Sequence, residues 1–285
     1  MKRIIIIFLV LISFASCEDV IDVETPTEPP RLIVDGIIRI DTSEAFTTAR
    51  IKINTSNSFF EDITPVSPDL VMIQNVQYEP TFVGEANFIR LGEVEPGVFE
   101  SAKSTRFFTE GRLDLYINYN DERYYAATNF VPSVPIDTLR QGTETLFSED
   151  ETEIIVTFTD NGERNDFYIF DFDFNEFLVT EDEFYQGQTF EFSYFYEDGL
   201  EPGTELNISL LGADEGFFNY MNQVIVQSGG DQGPFQTPAA TVRGNVFNVT
   251  GIDNIEIFDN VERTNNFALG YFAAVQEYKK TIVIE

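Results

Sequence analysis

From Arg31 onward the sequence alternates apolar and polar residues with a period of two, and turn-forming residues interrupt it at intervals of about ten, the pattern of an antiparallel β-sandwich rather than a helical or α/β fold. Segments 32–38, 49–53, 70–73, 113–117 and 124–128 fit strands separated by Pro, Gly or Asn/Asp turns, and Pro96-Gly97 is a turn pair with a preset φ followed by a permissive residue. Pro132 and Pro135 lack ladder donors, which excludes a central strand and puts a domain junction there. The division is therefore 31–132 for a first sandwich domain and 133–285 for a second, each long enough for its own core.

In the second part, Glu153–Phe158 reads as a strand, Asp160-Asn161-Gly162 as a turn, and Phe167–Phe174 as an aromatic strand. Thr189–Tyr196, Leu206–Leu211 and a segment from Thr241 onward read as further strands. One helix is expected near 215–228. Asp214 is its N-cap, Phe217, Tyr220, Met221, Val224 and Ile225 form its core-facing stripe, and Gly229-Gly230 is its stop. Asp171, Asp173 and Asn175 imitate half of a calcium-binding loop, but Glu176 stands where that loop needs Gly and Asp182 where it needs Glu. The alternation is better read as Phe170, Phe172 and Phe174 facing the core with the acids facing water. No metal and no cofactor is expected.

Ahead of the sandwiches, residues 1–16 have the order of a secretory signal: Lys2 and Arg3, an apolar run from Ile4 to Ile12, then small residues. That run is too short to remain as a membrane span. Phe14-Ala15-Ser16-Cys17 resembles a bacterial lipobox, which makes Cys17, the chain's one cysteine, the lipidated residue. Residues 17–30, acidic and then proline-rich, read as a lipidated tether. Glu18-Asp19 after the lipid cysteine resembles a surface-export signal of Bacteroidota lipoproteins.

Charge and missing residue types narrow the function. Removing Lys2 and Arg3 from the 17 basic residues leaves 15 against 49 acidic, a net 15 − 49 = −34, which repels phosphate backbones and argues against nucleic acid as a partner. The chain has no histidine, so Ser-His-Asp and Cys-His chemistry is excluded, and no lysine stands in a Ser-x-x-Lys arrangement. What remains is carboxylate chemistry, in which a pair at glycosidase spacing arises by chance among so many acids.

Taken in order, Cys17-Glu18-Asp19-Val20-Ile21-Asp22, Leu32-Ile33-Val34-Asp35-Gly36, Pro96-Gly97-Val98-Phe99, Phe158 to Asn165, the helix followed by Pro234-Phe235 and Thr237-Pro238, Val242-Arg243-Gly244-Asn245 and Ala268-Leu269-Gly270-Tyr271-Phe272 resemble the Bacteroidota outer-membrane lipoprotein family catalogued as domain of unknown function 4249. The resemblance implies an all-β chain of two immunoglobulin-like antiparallel β-sandwich domains, the second with one inserted α-helix. It also implies a place in the outer membrane beside a TonB-dependent β-barrel transporter, and it implies no enzyme. A non-enzymatic, surface-exposed accessory lipoprotein is the leading expectation; a carboxylate-dependent glycan hydrolase and a structural or adhesive surface protein are the alternatives. Phe235, Gln236, Arg243 and Asn245 are the candidate partner contacts, since an aromatic and an Arg are residue types enriched at interface hot spots. Asp137-Thr138-Leu139 resembles a Bacteroidota O-glycosylation site, with Thr138 as acceptor.

Overall fold

A computed structural model of the chain describes residues 29–57, 62–197, 199–229, 240–252 and 267–285. The chain is all-β, two β-sandwiches with, among the described residues, one helix longer than two turns. The first part holds β1 (Leu32–Ile40), β2 (Phe46–Thr55), β3 (Thr64–Pro65), β4 (Leu70–Asn75), β5 (Phe88–Arg90), β6 (Gly92–Glu95), β7 (Val98–Ser104), a five-residue α1 (Thr105–Thr109), β8 (Arg112–Tyr119) and β9 (Glu122–Val131). The second holds β10 (Ile136–Gln141), β11 (Thr152–Thr159), β12 (Phe167–Asp171), β13 (Phe177–Glu181), β14 (Thr189–Tyr196), β15 (Glu205–Ala213), α2 (Glu215–Ser228), β16 (Phe247–Asn248) and β17 (Leu269–Val283).

The period of two is visible in the burial. Along β2, Thr47, Ala49, Ile51 and Ile53 point into the core while Phe46, Thr48, Arg50 and Lys52 face water. The first core forms between the β1–β2–β7 and β4–β8–β9 layers, from Val34, Ile51, Ile73, Leu115 and Phe107 among others. The second lies between β13–β12–β15 and β10–β11–β14, and is dominated by Phe158, Tyr168, Phe170, Phe172 and Tyr196.

Strand β17 serves both sandwiches. Its residues Leu269–Gln276 pair in parallel with β1, and its residues Glu277–Val283 pair antiparallel with β15. Its pairings with β1 and β9 are parallel in an otherwise antiparallel fold. Phe272 and Ala274 enter the first core, while Tyr271, Ala273 and Val275 on the opposite face pack under α2 with Phe217 and Met221. Both faces are covered, which is why Leu269–Val275 is nearly all apolar. The two cores therefore do not divide at one point in the chain: Val246, Ala268, Phe272 and Ala274, all beyond the 132/133 boundary, complete the first. The crossing at that boundary is packed tightly, with Ser133 Oγ donating to the Leu210 carbonyl and Ser133 N donating to Gln276 Oε1.

Helix α2 starts as expected. Asp214 is extended at φ −82 and its Oδ1 accepts the Phe217 N–H at 2.7 Å. Phe217 and Met221 are its buried residues, each contributing about 1.5–3 kcal/mol by burial. Val224 and Ile225, expected in the same core stripe, are half-buried and line a groove instead. Gly229 ends the helix in an extended conformation at φ −69 rather than a left-handed one, and Gly230 lies outside the described residues.

Three other expectations are corrected. The aromatic strand ends at Asp171, and Phe174 is 54% exposed in the turn that follows, because Asp173, Phe174 and Asn175 reverse the chain. Among the acids meant to face water, Asp171 is instead paired with Arg39. The segment from Thr241 becomes a strand only at Phe247–Asn248, because the Asn245 side chain takes over the bonding that a strand backbone would make.

Candidate functional site

Of the residues expected to matter, Cys17, Phe235 and Gln236 lie outside the described residues. Thr138 is exposed on β10, at a register shift in its pairing with β11. Arg243 is exposed and sets its guanidinium 3.7 Å from the centre of the Phe267 ring, while Arg31 sits 3.8 Å from the same centre. Two guanidinium groups that close cannot share one face, so the ring lies between them at the root of β1.

Asn245 has a different role. Its Nδ2 donates to the Phe272 carbonyl at 2.8 Å and, at 3.3 Å, to that of Ala127, while its Oδ1 accepts the Phe272 N–H at 2.8 Å. The side-chain amide thus stands in for a peptide group and joins β17 to β9. Asn245→Ala leaves three backbone groups without partners, and a loss of about 2–4 kcal/mol is expected, read as a lowered Tm. Asn245→Asp keeps the acceptor but loses the donor, and an intermediate Tm is expected. Unchanged melting in both variants would return Asn245 to the role of a surface contact.

The more distinctive geometry is the turn between β12 and β13. Asp173, Phe174 and Asn175 have φ of 66, 50 and 65, three successive left-handed residues without a glycine. Asp and Asn tolerate that region; Phe does not, at a cost of about 1–3 kcal/mol. Local bonds hold the turn: Phe172 N donates to the Glu176 carbonyl, Glu176 N to the Asp173 carbonyl, and Asp173 N to Asp171 Oδ1. A distant one fixes it, since the Asn207 N–H on β15 donates to Asp173 Oδ2 at 3.2 Å.

Two open grooves meet at this knuckle. One, of about 620 Å³, lies between it and the outer face of β1 and β2, where Asp35, Arg39, Arg50 and Lys52 alternate with the core residues. Arg39 bridges the two sandwiches, 2.6 Å from Asp171 and 3.2 Å from Glu277; burial works against its charge, but the two carboxylates outweigh it and hold its pKa above the ordinary value. The other, of about 740 Å³, lies between the knuckle, the end of β14 and the C-terminal half of α2, and is lined by Phe177, Tyr194, Phe195, Leu200 and Val224. Tyr194 stacks on Phe172 with ring centres 3.8 Å apart, and its hydroxyl donates to Glu176. Burial first, and then Glu176, push the Tyr194 and Tyr196 phenols well above their ordinary pKa, so both stay protonated as donors. The surfaces thus offer aromatic faces and charged side chains, while the Tyr194 and Tyr196 hydroxyls are already spent on Glu176 and on the Phe172 carbonyl.

Sequence reasoning missed Phe174, Arg39 and the knuckle. A signal was present in Asp173-Phe174-Asn175, since acid and Asn residues favour turns, but the regular spacing of phenylalanines masked it. Among the described residues no group of three or more acids, Cys or His is placed to hold a metal ion; Asp171 and Asp173 spend their oxygens on Arg39, Asn207 and the turn.

A family model described as Domain of unknown function (DUF4249) matches residues 18–281. No curated protein matches the chain.

Proposed function

The chain belongs to the DUF4249 family, and from that premise we propose that it is a non-enzymatic lipoprotein, held on the outer face of the outer membrane through Cys17, that assists a TonB-dependent β-barrel transporter. It does so by binding the transported substrate or by covering the mouth of the barrel. The observation that carries this reading is the knuckle. A half-exposed phenylalanine kept in a left-handed conformation at the meeting point of two open grooves is strain retained where a contact is made, since folding alone would favour a glycine there. The tether supports it as well. Residues 18–30 reach at most about 45 Å when fully extended, so the grooves stay close to whatever shares the membrane and a weak contact gains from the high effective concentration.

Tagged protein extracted gently from its native membrane is expected to bring the barrel with it. Phe174→Gly separates contact from packing: relief of the left-handed strain should hold or raise the Tm by a few degrees, while recovery of the barrel falls severalfold. Recovery of the lipoprotein alone, even after crosslinking, would sink the transporter reading. Cys17→Ala is expected to release a folded protein from the membrane fraction, because the acyl chains contribute about 0.8 kcal/mol per buried CH₂ and no helix among the described residues is long and apolar enough to cross a membrane. Persistence of that variant on membranes after a high-salt wash would rule out the lipid anchor.

A further inference from the structure

Strand β14 is the last strand of its sheet, paired with β11 on one side only. The phase of its hydrogen bonds follows from its ends. Asp160 N donates to the Gln188 carbonyl one step beyond the Thr159–Thr189 pair, and Glu153 turns its carbonyl away from β14 to accept from Gly142 N. Alternation then directs the backbone groups of Phe190, Phe192, Tyr194 and Tyr196 toward β11, and those of Thr189, Glu191, Ser193 and Phe195 outward. Among the described residues none of these outward groups has a hydrogen-bond partner.

An open edge of this length is ordinarily protected, and the other sheet edges among the described residues are. Strand β5 is three residues long, β6 and β10 carry register shifts, and β13 lies beside α2. Strand β14 has none of these devices. Its eight pairs with β11 run without a shift, and Thr-Phe-Glu-Phe-Ser-Tyr-Phe-Tyr contains no proline and no lysine. On its inner face Phe190, Phe192 and Tyr194 are only partly buried against the core, a ridge of rings open along the edge. On its outer face Thr189, Glu191 and Ser193 are exposed, and Phe195 leads into the aromatic groove beside α2.

We infer that β14 is a docking edge, to which an extended segment of a partner protein, with apolar and basic residues in alternation, adds as a fourth strand. The outward backbone groups supply the ladder, the ring ridge takes the apolar side chains, and the chain's net negative charge draws the basic ones, Glu191 itself being held by Arg140 at 3.0 Å and by the Thr157 hydroxyl. Charge decides against a second copy of the chain as occupant, because a formal net charge of −32 would meet its equal. This inference does not depend on the transporter reading.

The test uses the full-length protein in detergent and two synthetic ten-residue peptides of alternating valine and lysine, one of them N-methylated at every residue so that neither edge keeps a donor. Side chains and charge are the same in both; only the backbone donors differ. The unmodified peptide is expected to bind at least tenfold tighter and to protect the amides of Thr189, Glu191 and Ser193 from hydrogen exchange. Glu191→Pro removes one outward N–H together with the carboxylate that holds Arg140 and Thr157, while leaving the backbone ladder to β11; it should weaken binding by a similar factor, whereas Glu191→Gln, which keeps the N–H, should not. If the proline variant fails to fold, the peptide pair still decides. Equal binding of the two peptides would reduce the effect to charge attraction and overturn the inference, as would binding of neither, or a dimer of the protein itself that Glu191→Pro dissolves.

Discussion

Gly270→Ala is expected to leave little folded protein. Gly270, the second residue of β17, has φ +91, and an added Cβ would lie 1.9 Å from the Val34 carbonyl oxygen and 2.7 Å from its carbon. These are backbone atoms of β1, held in register by the Val34–Gly270 pairing, so they cannot swing aside as a side-chain tip would. Gly244 approaches from the other direction, where its own Cβ would meet the Gly270 oxygen at 1.7 Å. Any shift of β17 that relieves one contact therefore worsens another. A loss of about 4–5 kcal/mol or more is expected, against a total stability of roughly 5–15 kcal/mol for a folded domain. Gly203 provides the control, since it has nearly the same φ, +92, with no atom within 4 Å of its Cβ position. Gly203→Ala should cost only the backbone strain, about 1–3 kcal/mol. The difference between the two in soluble yield and urea midpoint isolates the close approach; equal behaviour of both variants would mean that φ alone, and not packing, constrains Gly270.

The same junction explains what the sequence made legible. Leu32–Gly36, Val242–Asn245 and Ala268–Phe272, three segments that carried the family resemblance, meet here: Gly270 against Val34, Gly244 against Gly270, Asn245 against Phe272, and Gly36 with its Cβ position 3.2 Å from the Phe272 ring. A fourth, Phe158 to Asn165, builds the buried knot in which the Tyr168 hydroxyl lies 2.6 Å from Asp160 and 3.0 Å from Asp166. The recognisable residues are thus largely those that join layers, which is why they reported fold and family and stayed silent about ligand. Alternation along β1, β2, β4, β8 and β11 was readable because burial on one face is a local property of a strand. The return of β17 to β1 was not, because an apolar run carries no mark of which neighbour it pairs with. The knuckle was hidden for a related reason: Asn207 and Arg39, which hold Asp173 and Asp171, are 34 and 132 residues away. Strand β14 was read correctly as a strand, but edge position belongs to the whole sheet and no window of sequence contains it.

Raising the pH beyond 10 is expected to unfold the protein in one cooperative step. Tyr124, Tyr125, Tyr168, Tyr185, Tyr196 and Tyr271 are each less than a tenth exposed, and burial is the first cause that raises every one of their pKa values. Carboxylates raise several further, by accepting the phenol proton: Asp114 from Tyr125 at 2.8 Å, Asp160 from Tyr168, and Glu122 from Tyr124. Tyr185 is pushed up to about 12 and the other five higher still. The sign follows from which state holds the proton. In the unfolded chain these phenols ionise near pH 10, while in the folded protein they remain neutral, so their contribution is fully present below pH 10 and is lost as the pH rises through the folded values. Each tyrosine caught between its two pKa values removes roughly 1.4 kcal/mol per pH unit, and six together remove stability on the scale of the whole fold within one to two units. The chain has no tryptophan, so tyrosinate absorbance can be followed without interference. Ionisation of the buried tyrosines should coincide with loss of near-ultraviolet circular dichroism, with a midpoint between pH 10 and 12 and a slope steeper than one proton allows. Gradual ionisation of all twelve tyrosines with the dichroism intact would mean that water reaches these phenols in the folded protein, and that the aromatic cores are looser than their packing implies.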